Sequence, residues 1–192
     1  MEYNREKREI TLERELNELD KFALEFTSIV KKYSDYAIVS GYVSILLGRA
    51  RATEGIDIFI EKIPKEKFFI LFKELKRKGF ECLNTLKADK AFSYLQDRLA
   101  IRFSRKKTAI PNFEVKFPKK EVEKEALNDS IMVILPAGRL KISSLERQIA
   151  FKKYYLKSDK DVEDAFHIEE LFRGKIDFGK IEKLRKEIKN EK

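Results

Sequence analysis

Apolar residues recur along this chain in two periods, and the places where the period changes mark out the elements. Leu12, Leu16, Leu19, Phe22, Ala23, Phe26, Ile29, Val30 and Tyr33 fall at steps of three and four, which predicts one long N-terminal helix with a single apolar stripe. "YAIVSG" (36–41) is short, apolar and β-rich and stops at a glycine, as a buried strand does. "YVSILLG" (42–48) predicts a short helix closed by Gly48. In "GIDIFIE" the period becomes two, so that Ile56, Ile58 and Ile60 share one strand face and Gly55, Asp57 and Phe59 the other. A helix over 64–79 follows, with Pro64 at its start and Gly79 just past its end, and Phe68, Leu71, Phe72 and Leu75 facing inward.

"FECLN" (80–84) reads as a strand and "ADKAFSYLQD" (88–97) as a helix. "LAIRFSR" (99–105) and "NFEVKF" (112–117) alternate as neighbouring strands joined by the basic turn "SRKKTAIP". A short helix over 119–127 precedes one or two strands over 130–144, around a Pro-Ala-Gly turn. Ser143 with Glu146, and Ser158 with Asp161, have capping-box spacing ahead of "LERQIAFKKYYLK" and "VEDAFHIEELF". A last amphipathic helix covers 177–189. The order of elements predicts an α/β (α+β) fold: a mixed sheet flanked by helices over residues 1–140, with a C-terminal helical segment, 141–192, packed on it.

Composition narrows this picture modestly. The 192 residues are 43% hydrophobic, enough for a sizeable core, and the 15 phenylalanines fall at core positions of helices and strands rather than on a base-stacking face. A net charge of +9 leaves two readings open: a surface that meets polyanions, or a solubility bias dispersed over many faces. With one cysteine, Cys82, no internal disulfide forms, and a reducing, cytoplasmic setting is expected. No apolar run is long enough for a membrane helix, and the charged start "MEYNREKREI" lacks the apolar core of a signal peptide. His167, the one histidine, has no cysteine or histidine cluster near it, which argues against zinc.

The chemistry concentrates in "SGYVSILLGRARATEGIDIFIE" (40–61). A glycine turn after a strand, a short helix, and then "GRxRxTExhDhhh" resemble the nucleotidyltransferase superfamily, the DNA polymerase beta-like fold. The similarity is greatest to the compact prokaryotic branch that includes the abortive-infection toxin nucleotidyltransferases. "SLERQIAFKKYYLKSDKDVEDAFHIEELF" resembles that branch too, where a lysine-bearing helix precedes a Lys-Asp-x-x-Asp segment, and the likeness spans residues 36–172. The resemblance implies two carboxylates two residues apart on a strand, and a third from a neighbouring strand, holding Mg²⁺ or Mn²⁺ to transfer a nucleotide from an NTP.

On that pattern Asp57 matches the second acid and Glu114 the third, while Gly55 stands where the first belongs. Glu54 is one residue out of register and fills the gap only if the strand bulges there. Ser40 and Gly41 occupy the phosphate-binding turn. Arg49 and Arg51 are expected either to pair with phosphate oxygens or to sit in a solvated loop, and Thr53 to stabilise the turn. Lys152, Lys160, Asp161 and Asp164 match the lysine helix and the Lys-Asp-x-x-Asp segment, which in relatives line the nucleotide cleft or hold the helical part against the sheet. Helix capping is the other reading of Asp161. Two functions follow as expectations: Mg-NTP binding with transfer to RNA, such as a tRNA, or to protein; or a catalytically impaired homologue that binds nucleotide, RNA or a toxin–antitoxin partner.

Overall fold

A computed structural model describes residues 1–190. In chain order the elements are β1 (Glu2–Asn4), β2 (Glu9–Thr11), α1 (Glu18–Val30), β3 (Tyr36–Val39), α2 (Gly41–Leu46), β4 (Gly55–Ile60), α3 (Lys65–Arg77), β5 (Phe80–Cys82) and α4 (Ala88–Gln96). There follow β6 (Ile101–Arg105), β7 (Asn112–Lys116), α5 (Glu121–Asn128), β8 (Ser130–Leu135), β9 (Gly138–Ser143), α6 (Leu145–Ala150), a π-helical turn (Phe151–Leu156), α7 (Asp159–Leu171) and α8 (Phe178–Asn190).

The strands form a nine-stranded mixed sheet in the order β1-β2-β8-β9-β3-β4-β7-β6-β5. The pairs β2/β8, β3/β9 and β4/β7 are parallel, and the others antiparallel. Alternation along β4 and β7 puts Ile56, Ile58, Ile60, Phe113 and Val115 into the core, each nearly or wholly excluded from solvent. There Phe113 stacks on Phe26 of α1 at 4.1 Å between centroids, with Phe22 at 5.2 Å, while Phe80 meets Phe26 edge-on. Each such ring contributes about 1.5–3 kcal/mol by leaving water. The other face of β4 and β7 is thereby left to present polar groups.

Polar locks fix the ends of the helices. Asn17 caps α1 by accepting from the Asp20 N–H, and the Asp20 carboxylate accepts from the Asn17 N–H in return. Asp20 is fully buried and also receives Arg14 at 2.6 and 3.1 Å and the Tyr42 hydroxyl at 2.9 Å, which joins α1 to α2. Gly48 and Gly79 close their helices at φ 96° and 85°, where a side chain would be strained.

Three expectations are corrected. The long N-terminal helix does not begin at Leu12: residues 2–11 form the β1–β2 hairpin, and the Leu12 N–H bonds the Ile134 carbonyl, so that the helix starts only at Glu18. Leu12 and Leu16 mimic a helical stripe because the strand end and the linker both bury apolar side chains. The cap of α6 is Ser144 rather than Ser143, which is the last residue of β9. The helix expected over 145–157 is not one α-helix but α6 followed by the π-helical turn, whose Lys157 N–H reaches back five residues to the Lys152 carbonyl. Ser158 caps α7 through the Asp161 N–H, as the spacing predicts.

Candidate functional site

The site grows from the register of three adjacent strands. Antiparallel pairing sets Val39, the end of β3, opposite Asp57, and parallel pairing sets Asp57 beside Glu114. Period two then projects both carboxylates from the same polar face. Lys116 follows Glu114 by two positions on that face, and its Nζ lies between the acids, 3.2 Å from Asp57 Oδ1 and 2.5 Å from Glu114 Oε1. Arg102, opposite Glu114 on β6, donates to Glu114 Oε2 from Nη2 at 2.9 Å and from Nε at 3.1 Å.

Burial pushes the Asp57 carboxyl above its ordinary range, against the opposing pull of Lys116; the Glu114 charge adds to the rise. Burial also acts upward on Glu114, but hydrogen bonds and charge from Lys116 and Arg102 outweigh it and leave Glu114 below the usual range. For Lys116, burial acts downward and the two carboxylates reverse it, so its ammonium is held above the ordinary lysine value.

Beside the pair, Ser40 adopts φ 63°, ψ −139°, a conformation that costs a non-glycine residue about 1–3 kcal/mol, and its hydroxyl acts weakly to lower the Asp57 carboxyl. A Cβ on Gly41 would come within 3.2 Å of the Arg51 guanidinium, so glycine lets that side chain pack against the turn.

The donor set does not fit a pair of divalent ions. Gly55 supplies no ligand, and a Cβ there would meet Asn112 Oδ1 at 3.2 Å. Pairing is regular from Gly55 onward, Glu54 uses its carbonyl to receive the Asn112 N–H, and its exposed side chain is not brought back by a bulge. Among the described residues no three His, Cys, Asp or Glu side chains are placed to hold a metal ion. The two acids that do converge already share a lysine.

Arg49, Arg51 and Lys152 converge on one carboxylate, Asp164 of α7, which has no solvent exposure. Arg51 Nη1 lies 2.5 Å and Lys152 Nζ 2.8 Å from Asp164 Oδ2, and Lys152 is itself 99% buried (1% exposed). Arg49 Nε lies 3.0 Å from Oδ1, in ion-pair range but not aligned for a hydrogen bond, and Arg49 also pairs with Glu163. Burial lowers the Lys152 ammonium below the usual lysine range even with Asp164 in contact. This cluster fastens the segment before β4 to the C-terminal helices. Asp161 sits 3.9 Å from Lys152 and accepts the Ser158 hydroxyl, while Lys160 is exposed on the first turn of α7 and does not line the cavity beside Asp57.

That cavity, about 150 Å³, lies between the sheet and the C-terminal helices. Ser40, Asp57 and Lys116 form its polar end, and Phe59, Ala126, Phe151 and Tyr155 give it apolar walls. The π-helical turn alone contributes Phe151, Lys152, Tyr155 and Leu156. Asp57 also lines a second, open groove of about 500 Å³ with Thr53, Gly55, Arg102, Asn112 and Glu114. Thr53 stabilises its turn through a 2.8 Å bond to the Gly55 carbonyl. His167 Nε2 lies 3.1 Å from the Leu47 carbonyl, and Cys82 is a buried core thiol.

Lys116, Arg102, Asn112 and the π-turn aromatics were not singled out from the sequence. For Lys116 and Arg102 the signal existed, since alternation puts Lys116 on the face of Glu114 and cross-strand pairing brings Arg102 beside it. For the π turn there was none.

No family profile and no curated protein sequence matches this chain. Its fold is similar to that of an antigenic nucleotidyltransferase-like protein from Paracoccidioides brasiliensis, with TM-score 0.52 and 14% identity over 88% of this chain and 85% of that one. It is also similar to the solution structure of the antibiotic-resistance factor ANT(2'')-Ia, with TM-score 0.54 and 14% identity over 90% of this chain and 94% of that one. The chain thus has a nucleotidyltransferase-like fold, and among its described residues no helix is long and apolar enough to cross a membrane.

Proposed function

We propose that this protein is a nucleotide-binding member of the nucleotidyltransferase fold group in which nucleotide transfer is lost. The observation that carries the reading is the combination at the β4–β7 ladder. Asp57 and Glu114 stand side by side at the Ser40 turn, yet Gly55, backed by Asn112, stands where the first acid belongs. Two-metal transfer needs ligands that hold both ions in line with the reacting phosphate, and two carboxylates already engaged by lysine and arginine do not supply them.

Binding makes lighter demands. The apolar walls formed by Phe59, Phe151 and Tyr155 suit a base ring, and the polar end at Ser40 and Lys116 suits phosphate oxygens. The cavity is below the roughly 300–1,000 Å³ of a complete small-molecule site. The rest of a nucleotide therefore extends past Asp57 toward the open groove. In this reading Arg49, Arg51, Lys152 and Asp161 hold the C-terminal helices in place to form the cavity wall and do not touch phosphate. The Lys-Asp-x-x-Asp segment supports a position near the toxin branch, with a cognate protein or an RNA as the partner.

Calorimetric titration with the four ribonucleoside triphosphates tests the binding. At least one should bind saturably, and Ala126→Trp, which fills the cavity, should weaken it at least about tenfold. Incubation with α-labelled nucleotides and mixed RNA or protein acceptors should leave no label on any acceptor. Absence of binding, or clear label transfer, would remove the proposal.

A further inference from the structure

The carboxylate pair is not empty of positive charge, and what fills it belongs to the chain. We infer that the Lys116 ammonium is the resident counter-ion of this site, and that a phosphate-bearing ligand is met here without a divalent metal ion. The inference deepens the proposed nucleotide binding and rests on it for the identity of the ligand alone.

Three observations converge. Lys116 is placed by the strand itself, two residues beyond Glu114 and, in register, opposite Phe59, so its stem runs along the polar face directly to the acids. Its Nζ contacts one oxygen of each carboxylate, at 3.2 and 2.5 Å, the bridging position that a shared cation takes. The charges also balance. Asp57 and Glu114 face Lys116 and Arg102, so the group is formally neutral before any ion arrives. A divalent cation gains from converging negative charge, and here it must first displace an ammonium that the same oxygens hold.

Gly55 fits the same economy. A third carboxylate at that position would restore a net negative charge, and its Cβ would crowd Asn112 Oδ1. The lysine therefore makes an acid at position 55 unnecessary for neutrality. Lys116 lines the cavity beside Ser40, and of its three N–H donors the two carboxylate contacts leave one for a phosphate oxygen.

Mn²⁺ titration followed by calorimetry and water-proton relaxation tests the inference. Wild-type protein should bind no Mn²⁺ saturably at this site. Lys116→Met and Lys116→Gln should both gain Mn²⁺ affinity by at least about tenfold, because each leaves the acids uncompensated. Adding Asp57→Asn should abolish the gain. Wild-type affinity equal to that of either variant overturns the inference, and so does a folded variant that gains none. A wild-type arm stands without any variant: in protein labelled with ¹³C at lysine Cε, Mg²⁺ should leave the Lys116 resonance in place, and displacement of that resonance refutes it. ATP affinity should be the same in EDTA as in Mg²⁺. If ATP fails to bind at all, the proposed function falls, while the Mn²⁺ and Mg²⁺ arms still decide which cation the carboxylates hold.

Discussion

Replacing Asp164 by asparagine changes almost no volume and removes the one negative charge on which Arg49, Arg51 and Lys152 converge. The cost follows from burial. Arg49 and Arg51 are partly exposed and can turn toward water, but Lys152 is 1% exposed and has only Asp161, at 3.9 Å, as a substitute. Stranding a buried charge in this way costs about 3–5 kcal/mol. In a chain of this size that lowers Tm by about 6–20 °C. The same burial already holds the Lys152 ammonium below its ordinary range, so desolvation outweighs the attraction of Asp164, and the pair is no strong net stabiliser.

The double variant Lys152→Met/Asp164→Leu should therefore recover most of the loss, since it removes both charges and keeps the volume filled. Guanidinium unfolding of wild type, Lys152→Met, Asp164→Leu and the double closes the cycle, with Asp164→Asn measured beside it. The coupling between the two sites should exceed about 1 kcal/mol. Asp164→Asn within about 0.5 kcal/mol of wild type, or strictly additive effects in the cycle, would refute the argument that these residues form a buried clasp.

Asp129 receives Arg8, Arg147, Lys180 and the Ser144 hydroxyl, and although burial acts upward on its carboxyl, these partners hold it at about 2 instead of 3.8. A lowered carboxyl contributes stability above its unfolded value, about 2 kcal/mol for this difference, and loses it as pH falls from 3.8 through about 2. The stability gap between wild type and Asp129→Asn, measured by urea unfolding, should shrink across that window; a constant gap would contradict it. Tyr42→Phe removes a fully buried donor to Asp20 and should cost about 1.5–3 kcal/mol in the same unfolding assay, and an unchanged midpoint would rule out the lock between α1 and α2.

Alternation made β4, β7 and the shared face of Asp57 and Glu114 legible before any coordinates, because period two leaves a side chain only two choices. Gly48 and Gly79 were equally legible, since a helix end demands positive φ. The β1–β2 hairpin was not: its strands are three residues each, too short for a period to declare itself, and most of their side chains are polar. Which cation serves which acid was also out of reach. Arg49 and Arg51 look like phosphate ligands in sequence because their partner, Asp164, lies more than a hundred residues away. Lys116 was within reach of the face argument, but a search for metal ligands passes over the lysine that occupies their place.

The sheet order has a consequence for the newborn chain. The half built from β3, β4, β7, β6 and β5 can pair as soon as residue 116 has left the ribosome, yet the outer edge of β3 waits for Ile142 of β9, and β2 waits for β8. At a synthesis rate of about 5–20 residues per second, that edge stays open for seconds, with its hydrogen-bonding groups available to any passing strand. Truncation before β9 should therefore yield insoluble material that needs chaperones, and not a smaller soluble domain.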